Sequence, residues 1–425
     1  MSLEKRDVVI IGGGPAGCAA ATVLSDLGRR PLILEKEKFP RYLVGESLLP
    51  YCYFPLKRIG MIEKMKASGF QKKYSVQFVN ADGKQSQPFY FNRHLDHEAA
   101  QTWQVTRGSF DEMLLANAVE HGAEALQETR VISLLRDGDT VAGVRAETRD
   151  GTVREFGAQV TIDASGRSAF SAGRRRWRIP DEELKKIAIW TYYRGAGRDE
   201  GLDEGATTVA YVEGKNWFWY IPLADDLVSV GIVGDREYLY RDTRDSEEIF
   251  QREIKKNAWI RDHLKPGHPV DSYRVTSDFS YRSEYCADHG LVLVGDAFAF
   301  LDPVFSSGVL LALKSGELAA DAVHAALSTG DVSAGNFKDY GETMCAGIEA
   351  MRNLVYAFYD EAFSFRSVLQ ESPGIQSDLT DCLVGHLDRD FSALYRAVAK
   401  FAVLPAPLGH GRVPLQDADR RGAGV

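Results

Sequence analysis

Gly12, Gly14 and Gly17 stand between a β-branched run, residues 7–11, and an alanine- and leucine-rich run, residues 18–27. A G-x-G-x-x-G pattern after a strand and before a helix meets three needs: a tight turn, close backbone approach to a pyrophosphate, and close helix–strand packing. Gly13 and Ala16 complete the same turn. The helix start presents unpaired N–H groups and the positive end of a dipole to phosphate. A second apolar run, residues 31–34, closes a β-α-β unit and ends on Glu35, 18 residues after Gly17. A carboxylate there can accept from ribose hydroxyls, which favours a free 2′-hydroxyl and so NAD or FAD over NADP. The glycines alone are also compatible with a turn that binds nothing; strand, helix and Glu35 together argue for a dinucleotide.

The remaining pattern predicts an α/β fold with a Rossmann-like domain, a second sheet and a helical end. Residues 110–120 have helical spacing, and residues 131–135 and 141–149 read as a hairpin before a turn at Asp150 and Gly151. Residues 160–162 form a buried strand closing on Asp163. Between residues 186 and 233 the chain alternates and is rich in Trp and Tyr, which predicts a mostly antiparallel sheet on the substrate side. It then returns to a buried strand at residues 290–294 and a long helix at about 308–327. Residues 340–403 are helical in character, and the stretch from Pro405 is expected to be poorly ordered.

Composition narrows the class of function. The 425 residues are 44% hydrophobic and 26% charged with a net charge of −9, so the chain is globular and a poor match for nucleic acid. Five cysteines form no CxxC and no metal-ligand spacing, which argues for reduced thiols, a cytoplasmic enzyme and no metal site. The N-terminal run lacks the parts of a secretion signal, and the apolar stretch at 290–313 is broken by Asp296, Asp302 and Pro303, so no stable membrane insertion is expected.

Several motifs resemble the flavoprotein hydroxylases and so imply FAD, bound by a single dinucleotide unit of the hydroxylase/glutathione-reductase type. Gly295-Asp296 resembles their second fingerprint, in which the aspartate meets the ribityl chain. Residues 163–167 (D-A-S-G-R) resemble their internal DG motif, and Arg107 resembles the arginine that opens their flavin-contacting helix. No second G-x-G-x-x-G unit follows, which speaks against the two-dinucleotide disulfide reductases.

The resemblance sharpens at Trp217, Trp219, Ile221 and Pro222, a full match to the WxWxIP signature of the flavin-dependent halogenases. In that family the indoles are taken to wall the flavin off from the substrate. The bland alternative is a sheet with buried aromatics. Residues 302–309 (D-P-V-F-S-S-G-V) resemble the family loop beside the isoalloxazine, where N–H groups near a helix start hold chloride. The resemblance therefore assigns halide contact to Ser307 and Gly308, and flavin contact to Pro303 and Val309; a loop that binds only the flavin edge is the alternative. Residues 69–78 resemble the segment with the family's catalytic lysine, which falls on Lys73, with the adjacent Lys72 as the rival. A desolvated lysine can hydrogen-bond hypohalous acid, or be halogenated at nitrogen if its pKa falls. Residues 41–47 follow the family pattern too, placing Arg41, Glu46 and Ser47 near the flavin, and Val131 joins the cofactor set.

Phe305 departs from the tryptophan halogenases, which carry a glutamate just before their Ser-Thr-Gly. A free indole is thereby disfavoured, and the chain looks more like halogenases of phenols or pyrroles, free or tethered to a carrier protein. The resemblance implies an enzyme using FADH₂, O₂ and chloride or bromide, with a separate flavin reductase as partner and a role in secondary metabolism such as antibiotic biosynthesis. Residues 1–75, 105–170 and 280–335 are expected to form a discontinuous FAD domain, 76–104 and 171–279 the substrate domain, 336–404 the helical region and 405–425 a tail. An aromatic hydroxylase, a geranylgeranyl-reductase-like oxidoreductase and a flavin-binding redox sensor are the competing readings.

Overall fold

The strand that precedes the glycines is buried on both sides, and that fixes its place at the middle of a sheet. Val8, Val9 and Ile10 have no exposed surface; Val8 and Ile10 pack into one apolar cluster and Val9 and Ile11 into another, as parallel strands covered on both faces do. In this computed structural model, which describes residues 3–277 and 280–414, Leu3–Ile11 runs parallel to Val153–Asp163 on one side and to Pro31–Leu34 on the other. Leu291–Leu293 extends the sheet beyond Val153–Asp163, and Glu124–Leu126 extends it beyond Pro31–Leu34, both parallel. The expected hairpin, Thr129–Asp137 with Thr140–Thr148, joins antiparallel to the early half of Val153–Asp163.

Register decides what this sheet can do. Ile11 pairs with Asp163 and with Leu34, and Asp163 pairs with Leu293. Four parallel strands therefore end level with one another. Their next residues are the glycine turn, Glu35, residues 164–167 and Gly295-Asp296, all at the carboxyl edge where open α/β sheets bind ligands.

The second sheet is mostly antiparallel, as its alternation predicts. Lys186–Arg194, Leu227–Asp235, Trp217–Pro222 and Thr207–Tyr211 follow one another antiparallel, and Ser75–Val79 then adds parallel to Thr207–Tyr211. Side chains alternate across it. Trp217, Trp219 and Ile221 face the C-terminal helices, whereas Phe218 and Tyr220 face a core with Ser246–Ile254 and Ala258–Leu264. Gln71–Lys73 belongs to neither sheet; it pairs with Thr102–Gln104 in a separate ribbon.

The long helix Gly308–Thr329 packs on the glycine-turn helix Pro15–Asp26 at Gly316, where an added Cβ would stand 2.3 Å from the Ala16 carbonyl oxygen. Helix Lys338–Tyr359 is tied through Arg352 to Asp181, at 2.6 Å, in the segment just ahead of the second sheet's strand Lys186–Arg194. The stretch from Pro405 differs from expectation. Gly411 N donates to the Glu284 carbonyl at 2.8 Å, Cys286 N to the Arg412 carbonyl at 2.9 Å, and the buried Arg282 guanidinium to the Leu408 carbonyl at 3.1 Å, so backbone pairing at 411–412 and a side-chain bond at 408 hold this stretch. The rest of the expected tail, residues 415–425, lies outside the described residues. Among the described residues no helix is long and apolar enough to cross a membrane.

Candidate active site

The glycine turn has the three spatial properties that a pyrophosphate cradle requires. Gly12 has φ of +103°, and a Cβ there would meet the Ala164 carbonyl oxygen at 2.5 Å; on Gly17 it would stand 2.1 Å from the Gly12 carbonyl oxygen. On Gly14 the nearest atom would be Nη2 of Arg41 at 3.6 Å. The first and third glycines are thus required by the protein, while the second faces space beneath a guanidinium. Glu35, buried, accepts from Gly13 N at 2.8 Å and from Glu37 N at 2.9 Å, which orients its carboxylate and leaves acceptor capacity for ribose hydroxyls. Val131 lies at the same end, two residues from Thr129, whose N–H donates to the Glu35 carbonyl at 2.8 Å.

One buried carboxylate that the motifs did not single out organises the cationic side. Asp111 accepts from Arg107 through both oxygens, at 2.9 and 3.0 Å, and from Arg41 at 2.9 Å. The i,i+4 spacing of Arg107 and Asp111 on one helix was its sequence signal. Arg107 also donates to the Val44 carbonyl at 3.0 Å, locking residues 41–45 against the helix. Beyond it, burial pushes Asp296 up to about 6 against the opposing pull of Arg107 and Arg167. Glu46 is buried, accepts from the Tyr192 hydroxyl at 2.6 Å, and is likewise raised by burial.

The loop ahead of the long helix has the form of an anion cradle. Asp302 accepts from Val304 N at 3.1 Å, capping a short turn Pro303–Phe305, and Ser306 follows at φ of +56°. Helix Gly308–Thr329 begins next; its first intrahelical bond runs from Leu311 N to the Ser307 carbonyl, so the amides of Gly308, Val309 and Leu310 precede the ladder. A Cβ on Gly308 would meet nothing within 4 Å. Space, N–H donors and a positive helix end coincide there, which fits a halide.

Lys73 is fully buried while Lys72 is exposed, because successive side chains of a strand point to opposite faces. Its Nζ donates to Ser47 Oγ at 2.9 Å and to the Leu48 carbonyl at 3.1 Å. Loss of solvent lowers it from 10.5 to about 7. A neutral amine has two N–H bonds, and both are spent on these acceptors, so a lone pair is what remains. Lys73 lines a cavity of about 240 Å³ together with Val304, Phe305 and Ser306 of the helix-start loop. Most of the other walls are apolar, and helices Phe365–Glu371 and Gln376–Val384 supply Phe365, Leu369, Leu379 and Leu383. One chamber thus joins the expected lysine to the expected halide loop.

The structure separates the other expected residues from that chamber. Trp217, Trp219 and Ile221 are not among its walls; they pack behind the loop in the core that includes Val304, Phe305 and Phe358, on the same strand as Pro222. Trp219 donates to Ser229 Oγ at 3.1 Å and Trp217 to the Tyr359 hydroxyl at 2.9 Å. Ser307 is buried, and it is Ser306 that faces the chamber. Sequence reasoning missed Tyr359 and the C-terminal walls, for which helical periodicity carried no chemical signal.

Residues 5–334 match the family model for an FAD binding domain. The chain is 30% identical to the 1H-pyrrole-2-carbonyl-[peptidyl-carrier protein] chlorinase of Pseudomonas fluorescens, over 91% of this chain and 90% of that one. It is 32% identical to the corresponding brominase of Pseudoalteromonas luteoviolacea, over 90% and 92%. A tryptophan 2-halogenase of Chondromyces crocatus is 34% identical over 75% of this chain and 61% of its own length. Among solved structures, the flavin-dependent brominase Bmp2 superposes with a TM-score of 0.85 at 29% identity, covering 93% of this chain and 98% of that one. The chondrochloren halogenase CndH gives 0.79 at 29%, covering 94% and 96%.

Proposed function

The chain belongs to the flavin-dependent halogenases, enzymes that use FAD and halide, and from that premise we propose that it halogenates a single electron-rich ring, a pyrrole or phenol carried on a carrier protein. The observation that carries this reading is the chamber itself. At about 240 Å³ it lies below the roughly 300–1,000 Å³ of pockets for drug-sized ligands, and its wall carries Phe305 where the resemblance to the tryptophan halogenases would call for a glutamate. A ring held there must be electron-rich enough to react without a glutamate. The two relatives named for carrier-tethered pyrroles match over at least 90% of both chains, whereas the tryptophan enzyme matches over 61% of its own.

Gly12, Gly13, Gly14, Ala16 and Gly17 would hold the pyrophosphate with Arg41, Glu35 the ribose, and Val131 the adenine end. Glu46, Ser47, Arg107, Asp296, Pro303 and Val309 would surround the flavin portion. Reduced FAD, when bound, supplies the electrons with which O₂ converts halide to hypohalous acid; a separate flavin reductase supplies that reduced form. The amides at Ser307 and Gly308 hold the halide. Lys73 receives the hypohalous acid through its lone pair and presents its halogen to the ring. The halogen–oxygen bond breaks as the carbon–halogen bond forms, and the ring proton leaves with the hydroxide as water. The compartment consistent with a reductase partner and five free cysteines is the cytoplasm.

The test supplies photoreduced FAD, O₂ and bromide with a panel of free phenols, free pyrroles and their carrier-protein thioesters. Faster bromination of the thioesters supports the proposal. Preference for a free indole, or hydroxylated product independent of bromide, contradicts it.

A further inference from the structure

The signature tryptophan is wired to the halide loop through two side chains that no motif connects. Trp217 Nε1 donates to the Tyr359 hydroxyl at 2.9 Å, and that hydroxyl donates to Asp302 Oδ2 at 2.9 Å. The other oxygen of Asp302 accepts from Val304 N at 3.1 Å. We propose that Tyr359 and Asp302 are positioning residues, through which Trp217 fixes the loop that holds the halide; the proposal rests on the assignment of Ser307 and Gly308 as halide donors.

Three features make the chain of bonds specific. Asp302 has no exposed surface, so its carboxylate persists there only with its partners in place. Burial drives the Tyr359 hydroxyl well above its ordinary range, which keeps it protonated and donating, and the Lys186 ammonium lies 4.3 Å over its ring. Lys186 itself donates to Asp235 at 2.6 Å, and its charge also favours the ionised form of Asp302. Downstream of the clamp, Ser306 sits at φ of +56°, a left-handed conformation that is unfavourable for a non-glycine residue and survives where neighbours hold it. The clamp at Asp302 and the helix start at Gly308 are the two fixed ends between which that residue is held.

The arrangement also places Tyr359 at a junction. It is the last residue of helix Lys338–Tyr359, and the preceding Phe358 packs on Phe305, a wall of the chamber. The C-terminal helices that shape the ring's chamber and the loop that shapes the halide site are therefore tied through neighbouring positions.

The experiment compares wild type with Tyr359→Phe, which removes one oxygen and keeps the ring, and with Trp217→Phe. In FAD-loaded protein, hydrogen–deuterium exchange is followed in peptides covering residues 303–311 and, as control, 15–26. Tyr359→Phe is expected to speed exchange in 303–311 about tenfold, leave 15–26 unchanged, and raise the bromide KM about tenfold with the acceptor KM within about twofold, as loss of one buried charge-assisted bond implies. Trp217→Phe is expected to give a smaller effect of the same kind. Unchanged exchange in 303–311, or a rise equal in both peptides with both KM values shifted together, overturns the proposal. If the wild type makes no brominated product, the halogenation reading fails while the exchange comparison still decides whether the clamp holds the loop.

Discussion

Replacing Lys73 with methionine keeps the length of the stem and removes the charge, and it isolates the electrostatic cost of the buried amine. In the unfolded chain the lysine binds its proton up to its ordinary 10.5, whereas in the fold it releases it at about 7. Between those values the unfolded state binds more protons, so wild-type stability rises with pH across that window. At about 1.4 kcal/mol per pH unit, the full gap is on the order of 4–5 kcal/mol, borne in full below pH 7. Urea unfolding of both proteins, followed by tryptophan fluorescence from pH 6 to 9.5, checks this. Methionine also loses the bonds to Ser47 and Leu48, which moves the difference by a constant; the pH dependence reports the charge. The stability of Lys73→Met relative to wild type is expected to fall by about 3 kcal/mol between pH 7 and 9.5. A difference that does not vary with pH refutes the claim that loss of solvent lowers Lys73 to about 7.

Gly308→Ala places a Cβ where the protein leaves space, so the thermal midpoint is expected to stay or rise, since alanine is the better helix former by up to about 1 kcal/mol, while the bromide KM climbs about tenfold; thermal melts and bromide titration read the two effects. Gly14→Ala and Gly17→Ala should part company: the first folds normally but binds FAD weakly, because its Cβ enters the cofactor's space, whereas the second fails in both folding and FAD binding, because its Cβ strikes the Gly12 carbonyl. Flavin absorbance after gel filtration, beside circular dichroism, separates these outcomes.

Much of the fold was legible because its signals are local. Strand, glycine turn, helix and Glu35 follow one another within 35 residues, and the continuous aromatic and apolar run at residues 217–222 declares a strand buried on both faces. Lys73 was legible only together with its flanking residues, and the choice between it and Lys72 required knowing which face of the strand was buried. Asp111 carried a spacing signal that was available but not used. Tyr359 and the chamber walls at Leu369, Leu379 and Leu383 were beyond reach, since their role arises from tertiary packing between helices and a loop some 60 residues apart in sequence. The backbone pairing at residues 411–412 and the Arg282 bond to Leu408 were hidden for the same reason, beneath a proline- and glycine-rich composition.

Halogenation by this chain is proposed to run through Lys73. Its most direct test gives wild type and Lys73→Met the same photoreduced FAD, O₂, bromide and pyrrolyl-carrier thioester, and reads the product by mass spectrometry. A bromine isotope doublet is expected with wild type and none with Lys73→Met, although the variant still binds FAD. An equal doublet from both proteins would contradict it.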